Sequence, residues 1–299
     1  MQEAIKLALR GDTMIAWDPK PINGSTPSIK DAVPLSWSPG DNAAGHDVYF
    51  GTDRDAVSKA DISDMSGIYR GRQTAASYSP HEGVEWGQSY YWRIDEYNTD
   101  TTVSTGNLWS FTVADYFIVD DFESYNDLEP TDPESNRIFV KWLDGYDQPT
   151  NGSVVGYENA PFCEQTTVHS GRQSMPLAYD NSGTARYSEA TLTLTQRDWT
   201  EQGVGVLSLW FYGDPNNAPE QMHVALANSG GTPAVISHDN PNAALVETWT
   251  QWNIPLTDFS NQGVVLTNVN SISIGLGDRN NPQPGGSGTM YFDDIRLYR

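Results

Sequence analysis

Val206-Leu207-Ser208-Leu209-Trp210-Phe211-Tyr212 alternates without a break. Leu207, Leu209 and Phe211 fall on one side of a pleated chain, and Ser208, Trp210 and Tyr212 fall on the other. A period of two belongs to a strand, since a helix would repeat its apolar residues at three and four. Segments of the same kind lie on both sides of this one. Upstream they are residues 117–125, 138–143, 154–158, 174–180 and 186–195. Downstream they are residues 222–228, 234–237, 248–255, 271–275 and 289–298. About eleven strands separated by Gly, Pro, Asn and Asp predict an all-β domain over residues 115–299, a β-jelly-roll sandwich.

Residues 12–114 carry the same punctuation at closer spacing. Short alternating runs occupy 32–37, 45–50, 67–72, 76–79, 88–97 and 107–113. In the longest, Tyr90, Trp92, Ile94 and Glu96 share one face, and Tyr91, Arg93, Asp95 and Tyr97 the other. About seven short strands in roughly a hundred residues suit an immunoglobulin-like sandwich. Leu35-Ser36-Trp37, His46 to Thr52, Gly87 to Ile94 and Leu108 to Val113 resemble, in order and spacing, the B, C, F and G strands of a fibronectin type III domain. Such a resemblance implies a spacer or protein-contact module. Residues 3–10 read as one or two helical turns with Ile5, Ala8 and Leu9 on one face, so residues 1–11 are expected to be the tail of a preceding domain.

Charge narrows the partners. The 299 residues hold 17 Lys and Arg against 39 Asp and Glu, a net −22 with a pI near 4.3. Such a surface repels phosphate backbones and anionic membranes, which argues against nucleic acid and against membrane insertion. Cations such as calcium, and neutral ligands such as polysaccharides, remain compatible with it. Cys163 is the sole cysteine, so no intrachain disulfide or thiolate cluster forms, and it reads as a small core residue. No run of about 18 apolar residues spans a bilayer, and residues 1–11 show no signal peptide. The expectation is a piece of a longer secreted or cell-surface protein, extracellular, with other domains of its parent chain as partners.

The ends of the second unit are the most specific stretches. They read Val119-Asp120-Asp121-Phe122-Glu123-Ser124-Tyr125 and Met290-Tyr291-Phe292-Asp293-Asp294-Ile295-Arg296-Leu297, with His169-Ser170-Gly171-Arg172-Gln173-Ser174 between them. Asp121 and Glu123 are two apart and would leave one face of a strand while Phe122 enters the core. Clustered carboxylates repel unless a cation lies among them, and calcium accepts 6–8 oxygens, backbone carbonyls included. These three pieces resemble the calcium-bound jelly-roll carbohydrate-binding modules that open with an Asp-Phe-Glu strand. The resemblance implies a structural calcium with Glu123 and Asp293 as principal side-chain ligands. Asp121, Asp294 and the turn from Ser170 to Gln173 complete the expected set.

No catalytic signature is assignable. His46, His81, His169, His223 and His238 lack metal spacing, and no Gly-x-Ser-x-Gly elbow occurs. Gly285-Gly286-Ser287-Gly288 reads as a flexible loop. No motif singles out a pair of carboxylates for glycoside hydrolysis. A sugar ring stacks its C–H face on Trp or Tyr and gives its hydroxyls to polar side chains. Trp210 and Tyr212, facing away from the core with Asp214 following in register, are therefore the expected platform. His223, His238, Asn240, Asp278, Arg279, Tyr187 and Trp252 are further candidates. The expected function is a non-catalytic polysaccharide-binding module with a fibronectin-like spacer. The alternatives are a cell-surface adhesion segment and a β-sandwich glycoside hydrolase or lyase.

Overall fold

The computed structural model describes residues 11–299. The helical reading of residues 3–10 lies outside the described residues. The chain divides into two compact units, with the boundary between Tyr116 and Phe117.

In the first unit, β1 (Trp17–Lys20), β2 (Leu35–Ser38) and β5 (Ser77–Tyr78) form one sheet. The other contains β4 (Tyr69–Gln73), β3 (Ala43–Gly51) and β6 (Ser89–Asn98), with β7 (Val103–Ser104) and β8 (Leu108–Thr112) pairing along β6. Leu35 and Trp37 from the first sheet join Val48, Phe50, Tyr90, Trp92, Ile94, Trp109 and Phe111 from the second in one buried cluster. Glu96 shares that inward side, where it accepts from Gly40 N at 3.0 Å and His46 Nδ1 at 2.5 Å. The opposite side of the second sheet is laced by charge. Arg72 grips Asp47 with two bonds of 3.0 and 2.7 Å. Arg93 grips Asp95 and also caps carbonyls of Val57, Ser58 and Ala60. Those carbonyls close the short helix Arg54–Lys59, whose start is capped by Asp53. The alternation did not reveal this helix because it is only six residues long.

The second unit is a two-sheet sandwich. One sheet runs β10 (Trp142–Leu143), β13 (Ser188–Thr193), β18 (Ser271–Leu276), β15 (Met222–Ala227), β16 (Ala234–Ser237). The other runs β11 (Ser153–Val155), β12 (Met175–Asp180), β19 (Ser287–Tyr298), β14 (Val206–Tyr212), β17 (Thr250–Pro255), and β9 (Tyr116–Asp120) joins β19. Strands that follow one another along the chain mostly lie in opposite sheets, the crossing pattern of a jelly roll. Leu207, Leu209 and Phe211 of β14 are fully buried, as the alternation required, and meet a core that includes Val224, Leu226, Ile272 and Ile274. Each such side chain contributes roughly 1.5–3 kcal/mol on burial.

Two expected strands change character. The first stops at Asp120 because Phe122 takes a left-handed backbone, φ 60°, which breaks the pleat while still burying its ring. Residues 138–143 split into a helical turn, Ile138–Lys141, and the two-residue β10, which lets Trp142 reach the core.

Candidate functional site

One irregularity in the last strand organises one face of the second unit. Phe292 and Ile295 are both buried, three residues apart where a regular strand allows two. Trp210 pairs with Asp293 and Ser208 with Arg296, so Leu209 alone faces two residues, a β-bulge. Asp294 absorbs the extra residue with φ 49°. The bulge therefore turns both Asp293 and Asp294 to the outer side of the sheet.

The loop of residues 169–173 is held there by carboxylates. Asp293 Oδ2 accepts from His169 N at 2.9 Å and Ser170 N at 3.2 Å. Glu123 Oε1 accepts from Arg172 N at 2.7 Å and Gln173 N at 3.0 Å. Gly171 sits between them with φ +71°, and a Cβ there would collide with the Glu123 carboxylate. Gln173 spends its amide on the carbonyls of Phe122 and Tyr125. Asp293 is fully buried, and burial pushes its carboxyl up to about 7. Among the described residues no group of three or more His, Cys, Asp or Glu is arranged to hold a metal. The loop thus meets Glu123 and Asp293 through N–H groups where carbonyls were expected. Asp121 does not join them: its carboxylate caps the local turn at Glu123 N. The buried carboxylate of this segment is Asp120, which accepts from Tyr125 Oη at 2.6 Å, Trp142 Nε1 at 2.8 Å and Phe122 N at 2.9 Å. Burial raises its pKa, while those donors oppose the rise.

The same loop delivers a ring to the sheet. His169 Nδ1 donates to Asp294 Oδ2 at 2.6 Å, and Asp294 Oδ1 accepts from Arg296 at 2.5 Å. So oriented, His169 stacks on Trp210 with centroids 3.8 Å apart and planes 18° apart. Trp249 stands edge-on to His169 at 5.7 Å and packs on Tyr212 at 5.7 Å, and Tyr212 meets Tyr291 at 6.1 Å. Gln251, opposite Trp210, bonds Ser208 on the same side. Trp210, Tyr212, Trp249 and Tyr291 are all partly exposed. Tyr291 was not among the expected residues, although its alternation with Met290 and Phe292 marks it as outward-facing. Trp249 and His169 required knowledge of which strands pair.

The other expected ligand residues go elsewhere. Trp252 lies opposite Leu209, on the inward side, where it meets His238 at 4.8 Å. His238 in turn packs against Phe211 at 5.2 Å, and burial holds its imidazole below the ordinary range. Both close the edge of the core. Asp214, Asn240 and Asp278 each cap their own turns, at Asn216, Asn242 and Asn280. Tyr187 is half-buried just ahead of β13. His223 and Arg279 lie on the outer side of the opposite sheet, where both meet Glu189, a residue that sequence patterning does not distinguish.

Cys163 is buried, and burial pushes its thiol up to about 12, the character of a core residue. Among the described residues no helix is long and apolar enough to cross a membrane.

No protein-family model matches the sequence, and no curated protein matches it. Solved structures to which this chain is similar include the family 11 carbohydrate-binding module of a cellulosomal cellulase from Clostridium thermocellum. It is 16% identical over 61% of this chain and 94% of its own, with a TM-score of 0.36. A structure described under the promiscuous specificity of β-sandwich carbohydrate-binding modules is 11% identical over 95% of this chain and 98% of its own, TM-score 0.33. An exo-β-agarase is 13% identical over 60% of this chain but only 24% of its own, TM-score 0.41.

Proposed function

We propose that the second unit is a non-catalytic polysaccharide-binding module whose ligand lies across Trp210, Tyr212, Trp249 and Tyr291. The observation that carries this is a continuous group of four partly exposed rings, with His169, on the outer side of β14 and β19. Aromatic rings that are grouped on one face and left partly open favour a ligand platform. Pyranose C–H faces stack on such rings while Gln251, exposed beside them, bonds hydroxyls. At net −22, a neutral glycan fits better than a polyanion.

The proposal extends to a structural calcium held by Glu123 and Asp293. What supports it is the convergence of two carboxylates, from opposite ends of the unit, on one five-residue loop. A cation would also offset the burial of Asp293. Its remaining oxygens would be those of water, because the loop turns N–H groups toward both carboxylates. The first unit serves as a fibronectin type III-like spacer, supported by its sandwich of a three-stranded sheet against the sheet built on β3 and β6. The parent protein is extracellular and acts on or adheres to polysaccharide.

The test is affinity electrophoresis of the full chain through gels containing plant and algal polysaccharides, run with the native protein and with Trp249→Ala. Retardation by at least one glycan that the substitution relieves is expected. Equal mobility of both proteins in every gel refutes the assignment.

A further inference from the structure

We infer that the outer face of the sheet β10-β13-β18-β15-β16 carries a second, independent binding site for a neutral pyranoside, centred on Glu189 and Arg279. Glu189 is 7% exposed and His223 1%, although both point away from the core between them. Burying a carboxylate on an outward face is costly unless it is paired and has a use. Arg279 Nη1 donates to Glu189 Oε1 at 2.7 Å and Oε2 at 2.9 Å, and His223 Nε2 donates to Oε2 at 3.1 Å. Among the described residues, the Nε and Nη2 groups of Arg279 make no hydrogen bond, and the side chain is 25% exposed. A guanidinium edge with unused donors therefore stands beside a fixed carboxylate.

The surroundings are small and shaped. Gly275 lies under the His223 ring, where a Cβ would come within 2.6 Å of Cε1, so no other residue permits this approach. Thr191 and Ser273 bond each other at 2.8 Å, and Ala225 pairs with Ser273, leaving a low, polar floor. The loop that precedes β11 is tied to the backbone of β13 at Glu189. Its Asn151 bonds the backbone N and O of Glu189 at 2.9 and 2.8 Å, and Ser153 Oγ donates to the same carbonyl at 2.8 Å. That loop carries Tyr146, 80% exposed, and Leu143, opposite Thr191, is 59% exposed.

The chemistry selects the ligand class. A vicinal diol offers lone pairs to the free guanidinium donors and O–H groups to the carboxylate, while its ring C–H face meets Tyr146. A uronate or phosphate would bring a second negative charge against Glu189 in a chain already at −22. Sheets pack about 10 Å apart, so ligands on the two outer faces are separate chains. A module with both sites links two glycan strands.

The experiment uses the full chain with a soluble mixed-linkage β-glucan, a xylan, an agarose oligosaccharide and polygalacturonate as probes. Binding is read by calorimetric stoichiometry and by glycan precipitation. Native protein should bind two equivalents of a neutral oligosaccharide and precipitate its polymer. Arg279→Gln and Tyr146→Ala should each lower one affinity about tenfold and abolish precipitation. Tyr146 is too exposed for its loss to unfold the chain. Unchanged stoichiometry and precipitation in both folded variants overturn the second site. If Trp210→Ala removes all binding, the second site fails and the first stands. If Trp210→Ala changes nothing and Arg279→Gln removes all binding, the second stands and the first fails. Binding of polygalacturonate through Arg279 overturns the neutral class, and silence from every probe overturns both sites.

Discussion

Replacing Trp210 by Ala perturbs two properties that can be measured apart. The ring is partly exposed, stacked on His169 at 3.8 Å and placed across from Gln251. A fully buried Trp→Ala change costs about 3–5 kcal/mol, and a half-covered ring about half of that, so stability should fall by roughly 2 kcal/mol. Part of this is the lost stacking on His169, about 0.5–1.5 kcal/mol. Binding should weaken separately. Fully burying a large apolar side chain is worth about 1.5–3 kcal/mol, and a pyranose covers one ring face, so the loss is about 1–1.5 kcal/mol. That is roughly 5- to 12-fold in Kd. Circular dichroism melts give the first number and calorimetry on a binding glycan gives the second. Trp210→Phe should recover part of both. A folded Trp210→Ala protein that binds at native affinity would refute the assignment of this ring to the ligand. Global unfolding at room temperature would show instead that the ring is core.

Other substitutions and conditions have equally definite outcomes. Asp120→Ala strands the donors of Tyr125, Trp142 and Phe122; at about 1–3 kcal/mol each, partly offset by removing a buried carboxylate, the second unit should lose about 3 kcal/mol, seen as a lower urea midpoint with unchanged slope. Excess chelator should destabilise the second unit by about 2.7 kcal/mol when calcium was present at a hundred times its Kd, seen as a lower melting temperature of that unit with the first spared; elemental analysis finding no metal, together with an unaltered melt, removes the ion from the proposal. For Glu164, burial works to raise the pKa, but bonds from Thr166, Tyr157 and Thr167 outweigh it and hold the carboxyl at about 2. Its folded value lies below its unfolded one, so its stabilisation is complete above about 4.5 and is lost as pH falls toward 2. Glu164→Gln should flatten acid unfolding in that window, and an identical acid profile would count against the pairing. Purified protein incubated with each glycan it binds should release no reducing ends; release abolished by a single carboxylate substitution would make it an enzyme.

Strand positions were largely legible because large apolar residues alternate with small or polar ones along strands such as β14, β15 and β18. Failures came where the chain departs from the pleat. Nothing in Asp121-Phe122-Glu123 announces a left-handed Phe122, so Asp121 was expected to share a face with Glu123. Trp252, by contrast, was legible as an inward residue: it alternates with Gln251 and Asn253 in step with buried Ile254, and its pairing with Leu209 agrees. Glu189 escaped notice for a related reason. A lone Glu in a strand reads as a solvated residue, and only the neighbouring strand and a distant loop bring His223 and Arg279 to it.

The bulge at Asp294 is a phase shift in the last strand. Ahead of it, even-numbered residues such as Met290 and Phe292 point inward; beyond it, odd-numbered Ile295 and Leu297 do. Deleting Asp294 would restore a single phase, and every side chain on one flank would have to exchange core for solvent. The unit therefore depends on the count of residues here as well as on a residue that accepts φ 49° at this position. Removing one residue between Phe292 and Ile295 should therefore cost more than Asp294→Asn, which keeps both the phase and the backbone angle.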